Sequence, residues 1–115
     1  MQLENTMAYD QGHAQILRDL LENTDGIHEK KMFGGLCFMW NGNMLCGVHK
    51  DGGMFRVGKE NETAALAING VDPLSFTGRK MGGMVDISEE TLADQAALEK
   101  LLHLADSFVG KMPAK

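Results

Sequence analysis

Long apolar runs are missing from this chain of 115 residues. None approaches the ~18 residues of a membrane span. The N-terminus also lacks a basic segment followed by an apolar core, so the expectation is a cytoplasmic, unexported protein. Cysteine is scarce: Cys37 and Cys46 alone cannot build a disulfide framework, and in a reducing cytosol they would stay thiols. Positive charge is short as well. With 11 Lys and Arg against 16 Asp and Glu, the net charge is −5 and the pI about 5.2. That balance opposes approach to a phosphate backbone, so direct DNA binding is not expected.

The motifs of common chemistry are absent too. The four histidines, His13, His28, His49 and His103, are scattered, with no Cys-x-x-Cys and no His-Glu-x-x-His, so no metal site is expected. Gly34-Gly35, Gly52-Gly53 and Gly82-Gly83 belong to no phosphate-loop pattern, and read as bends or bulges of a twisted sheet. Ser75, Ser88 and Ser107 sit in no nucleophile elbow, and Glu89, Glu90 and Asp94 look like helix-start charge. A non-enzyme with no cofactor is the expectation.

What is present reads as one α+β domain over residues 1–115, long enough to bury roughly two-thirds of its unfolded surface. Nothing repeats and no linker divides it. Ile16, Leu17, Leu20 and Leu21 form a helical stripe in a segment spanning Asn5 to Asn23, with Asn5 and Thr6 as available caps. Ile27–Met32, Leu36–Trp40, Asn43–His49 and Met54–Val57 read as strands of an antiparallel meander, and Asn41-Gly42 is a strong hairpin signal. A short helix over Glu60–Ile68 follows, then strands at Leu74–Thr77 and Met84–Ile87. Ser88 starts another helix. The last one, with Asp94 as cap, presents Leu98, Leu101, Leu102, Ala105, Phe108 and Val109, and stops at Gly110. The expected architecture is two layers, a curved antiparallel sheet of five to six strands with N-terminal, middle and C-terminal helices.

Two features invite a functional reading. Counting outward from Asn41-Gly42 sets Cys37 opposite Cys46 on one face, beside Met39 and Met44, at a non-hydrogen-bonded position where Cα atoms approach to ~4.5 Å. Such a pair could be core packing, the favoured reading, or a redox-responsive thiol pair, or a soft spot for Cu(I). The nine methionines are read chiefly as core filling. Arg56 is the second feature, a charge inside an apolar strand. Alternation puts it on the exposed side of the sheet. There it could join Lys31, Phe33 and Arg79 as a surface for a partner carboxylate.

Lys31-Met32-Phe33-Gly34-Gly35, Phe38, the Asn41-Gly42 turn with Met44, Met54-Phe55-Arg56-Val57, then Pro73, Leu74, Phe76 and Asp86-Ile87-Ser88 together resemble the N-terminal domain of the TfoX/Sxy family of bacterial proteins. The closing helix with Leu98, Leu101, Ala105 and Phe108 fits the same layout. The resemblance implies a two-layer domain and a regulator of transcription or competence genes that acts through a protein partner, in the best-known members with the cyclic-AMP receptor protein. It offers no catalytic motif. The expected function is therefore a non-enzymatic protein-interaction module, with a homodimer through an exposed edge strand as one form of it. The alternative is a thiol or soft-metal sensor using Cys37 and Cys46.

Overall fold

The computed structural model describes residues 9–32, 34–76 and 79–115, with the side chains of 75, 76 and 79–81 excepted. Asn5, Thr6, Phe33 and Thr77 lie outside that description. The first helix, α1 (Gln11–Leu20), is shorter than the segment Asn5 to Asn23 expected from the sequence. Its cap is Asp10, whose carboxylate accepts from the Gly12 and His13 amides at 2.6 and 3.3 Å. Strands β1 (Ile27–Met32), β2 (Gly35–Trp40), β3 (Asn43–His49) and β4 (Gly52–Arg56) then form the meander. The β2–β3 turn has Asn41 at φ 53° and Gly42 at φ 87°, both left-handed, as a two-residue Asn-Gly hairpin requires.

The middle helix is shorter than its apolar run. A 3₁₀ turn (Lys59–Asn61) leads into α2 (Glu62–Leu66), which buries Ala65. Strand β5 (Val71–Phe76) and the long β6 (Arg79–Ser88) complete a six-stranded, wholly antiparallel sheet in the order β1-β2-β3-β4-β6-β5. Ser88 caps α3 (Glu89–Leu92) by accepting from the Thr91 amide, and Asp94 caps α4 (Gln95–Val109) by accepting from Ala97. The α4 helix ends where expected. A side chain at Gly110 would sit 2.6 Å from the Asp106 carbonyl and 3.3 Å from the Trp40 ring, which suits the position to glycine.

All four helices cover one face of the sheet. Ala14, Leu17 and Leu21 from the α1 region, Ala65, Leu92, and Leu98, Leu101, Ala105 and Val109 of α4 pack on Leu36, Phe38, Leu45, Cys46, Val48, Phe55, Val57, Val71, Val85 and Ile87. A smaller cluster lies on the opposite face: Cys37, Met44, Met54, Leu74 and Met84, with Met32 and Met39 against it. The edge strands are guarded. β1 carries the exposed polar run His28-Glu29-Lys30-Lys31, and β5 carries Pro73. Arg18 on α1 holds Glu29 with two bonds of 2.6 and 2.9 Å, but both groups are more than a third exposed, so the pair orients α1 more than it stabilises the fold.

Leu101 is fully buried in the main cluster. Leu101→Ala should lower unfolding free energy by about 2–5 kcal/mol, measured as a drop in urea midpoint with an unchanged slope.

Candidate functional site

The cysteines do not meet as the turn count suggests. From the hairpin outward, Trp40 pairs with Asn43 and Met39 with Met44, but Phe38 then pairs with Cys46 and Cys37 with Gly47. Leu45 is an extra residue in β3, a bulge opposite the Phe38–Met39 step. It turns Leu45 and Cys46 together onto the helix-covered face, while Cys37 stays among the methionines of the other face. The expectation of two thiols side by side on one face is thus overturned. Both are free and buried. Burial pushes the Cys37 thiol up to about 11. Cys46 is raised further, by its own burial first, then by Cys37 and Asp106 nearby. Neither thiol has the depressed pKa that reactivity at neutral pH needs.

Gly47 shapes the methionine face. A Cβ there would lie 3.0 Å from the Met54 methyl and 3.2 Å from the Cys37 Cα, so Met54 lies across the glycine toward Cys37. At one end of this face His49 on β3 meets Asp86 on β6, with Nε2 to Oδ1 at 2.5 Å. The bond spans β4 where Gly52 and Gly53 carry no side chain. The Asp51 amide donates to His49 Nδ1 at 3.2 Å. The bond to Asp86 raises the His49 pKa against the opposing effect of burial.

The other end of β4 holds a cleft of about 700 Å³. Arg56, Lys59, Glu60, Phe108, Lys111 and Met112 are among the residues that line it. Arg56 is half-buried, and its guanidinium stacks on the Phe108 ring, 5.6 Å from the centroid. Its hydrogen bond among the described residues is a long one, 3.5 Å to the Met44 carbonyl. Glycines carve this space. At Gly58, φ 87°, a side chain would strike the Phe108 ring at 2.5 Å, and at Gly82 it would strike the Lys59 stem at 2.8 Å. Asn61 braces the wall, its amide donating to the carbonyls of Val57 and Leu104 and to Ser107 Oγ. The far wall is the C-terminal strap, tied to the β2–β3 turn by Asn43 Nδ2 to the Pro113 carbonyl (2.9 Å) and the Lys115 amide to the Asn41 carbonyl (2.9 Å).

The candidate surface residues are not one patch. Lys31 pairs with Leu36 and shares its helix-side face, whereas Arg56 pairs with Met84 on the opposite face, three strands away. Phe33 and the Arg79 side chain lie outside the described residues. The companions that sequence reasoning missed are Phe108, Lys59 and Lys111. The α4 periodicity places Phe108 on the apolar face, yet it is 37% exposed. Spacing carried no warning of this, because Phe108 lies three residues after Ala105 and seven after Leu101, at the edge of the same stripe.

A model of the TfoX N-terminal domain family matches residues 19–108. The matched span runs from the end of α1 through the whole sheet to Phe108. No curated protein and no solved structure matches the chain.

Two measurements follow from this geometry. Thiol labelling should be slow for both cysteines in the native protein and fast in denaturant, and mild oxidation should leave the intact mass without the loss of two protons that a disulfide brings. Because His49 is raised above its ordinary 6.5, its contribution is fully present below that value and is lost as pH rises through the folded pKa. The stability difference between wild type and Asp86→Asn should therefore be larger at about pH 5.5 than at about pH 9.

Proposed function

The chain belongs to the TfoX N-terminal domain family, and from that premise we propose that it is a non-enzymatic regulatory module that acts by binding a protein partner through the Arg56–Phe108 cleft. One observation carries the reading: an exposed aromatic ring bears a guanidinium that, among the described residues, has no carboxylate within 4 Å. Arg and aromatic side chains are the types that dominate protein–protein hot spots. Here each is already held in place, so less side-chain freedom is lost on contact.

The sheet edges suit a partner less well. Lysines on β1 and the proline on β5 oppose strand addition, and homodimerisation by edge pairing would have to overcome both. The family membership is consistent with a role in competence-related regulation, and the partner is then another component of that control. The sensor reading loses its structural support, since Cys37 and Cys46 point to opposite faces and burial keeps both thiols protonated.

The test is affinity capture from the source cell with wild type, Arg56→Glu, Phe108→Ala and Arg18→Ala. A protein retained by wild type and Arg18→Ala, and bound about tenfold or more weakly by the two cleft variants, is the expected result. Identical capture by all four, with folding confirmed by thermal unfolding, would remove the cleft from the account.

A further inference from the structure

The cleft gathers Arg56, Lys59 and Lys111 against a single carboxylate, Glu60, in a chain whose net charge is −5. None of the three cations has a salt-bridge partner among the described residues. Gly82 gives the Lys59 stem a seat on β6, with its Cε, Cδ and Cγ passing 2.8, 3.7 and 3.7 Å from where a side chain would begin. Gly58 likewise seats the Phe108 ring beneath Arg56. Arg56 and Lys59 are thus positioned rather than scattered. With Lys111 they line a space that also has an apolar lining from Phe108, Met112 and Pro113.

The backbone decides which anion fits. Phosphate sites usually offer a nest of free amide groups. Here several of the surrounding amides are already engaged, Val57 and Gly58 donating to the Gly83 carbonyl, Gly83 to Glu62 Oε2, Asn61 to the Gly58 carbonyl, Lys111 to Phe108 and Met112 to Val109, although those of Lys59 and Glu60 are not among them. The C-terminal end of α4 also forms one wall, and its partial negative charge, with Glu60, opposes a dianion more than a monoanion. What remains is the planar fork of a stacked guanidinium, which matches a carboxylate with two parallel bonds.

We propose that the Arg56–Lys59–Lys111 cleft is a carboxylate-binding site for an acidic peptide segment carrying an apolar residue beside the acidic one. The carboxylate pairs with Arg56, the apolar neighbour lies on Phe108 and Met112, and the two lysines draw in flanking negative charge. This deepens the interaction-module reading by naming the chemistry of the partner segment, and it rests on that reading only for the identity of the cleft.

The experiment titrates the full ¹⁵N-labelled chain with an acetylated, amidated peptide of alternating Leu and Glu. The matched Leu and Gln peptide, inorganic phosphate and duplex DNA are run as separate arms. The expected result is saturable shifts at Arg56, Lys59, Phe108 and Lys111 with the Glu peptide, weakened by salt, and affinity lower by about tenfold for the Gln peptide. Arg56→Lys keeps the charge and loses the fork, and should bind about tenfold more weakly, while Lys50→Met, outside the cleft, should bind as wild type. Equal binding of the Glu and Gln peptides overturns the proposal, as does preference for phosphate or DNA. If captured partners depend on Arg56 while the Glu peptide does not bind, the carboxylate assignment fails and the module stands; if neither depends on Arg56, both fail.

Discussion

One extra residue in β3 governs the sides of this sheet. Successive side chains of a strand point to opposite faces, so inserting Leu45 reverses the face of the residues on one side of it relative to those on the other. Without the bulge, Met44 and Cys46 would share a face. With it, Cys46 joins Leu45 and Val48 beneath the helices, while Met44 lies with Met39 and Cys37 on the far side. The two hydrophobic clusters, and the separation of the thiols, both rest on that insertion.

A second irregularity builds the cleft. Between the Pro73–Val85 and Ser75–Lys80 pairings, β6 carries more residues than β5, and the surplus includes Gly82 and Gly83. The Gly83 carbonyl receives both the Val57 and Gly58 amides, which draws the end of β4 against the looped-out strand. Gly58 and Gly83 lie at φ 87° and 83°, where other residues are strained. A side chain at Gly58 would also displace Phe108. The Arg56–Phe108 stack is worth only about 0.5–1 kcal/mol at such an exposed site. Its importance is positional, because it sets the guanidinium over a seated ring at the mouth of the cleft.

Elements with local signals were legible in the sequence: the Asn41-Gly42 turn, the caps at Ser88 and Asp94, the α4 stripe, and the existence of all six strands, although β6 begins at Arg79 in what reads as a glycine-rich loop before Met84. The Leu45 bulge was not. Met44 through Val48 is apolar at nearly every position and buried on both faces, so no alternation marks which residue is extra. The alternation argument that set Arg56 opposite Phe55 and Val57 held, since Phe55 and Val57 enter the main core. Where Arg56 goes next depends on Phe108, 52 residues further along the chain, and no local pattern encodes that contact. Grouping it with Lys31 failed because the two strands are separated by two others and present these residues on opposite faces.

The bulge is the claim to test first, because the faces of the sheet follow from it. Cross-strand proton NOEs in the native, labelled protein read the β2–β3 register directly. The account predicts contacts linking Phe38 to Cys46 and Cys37 to Gly47, with Leu45 facing no partner of its own. Contacts linking Cys37 to Cys46 and Phe38 to Leu45 would contradict it and restore the uninterrupted hairpin.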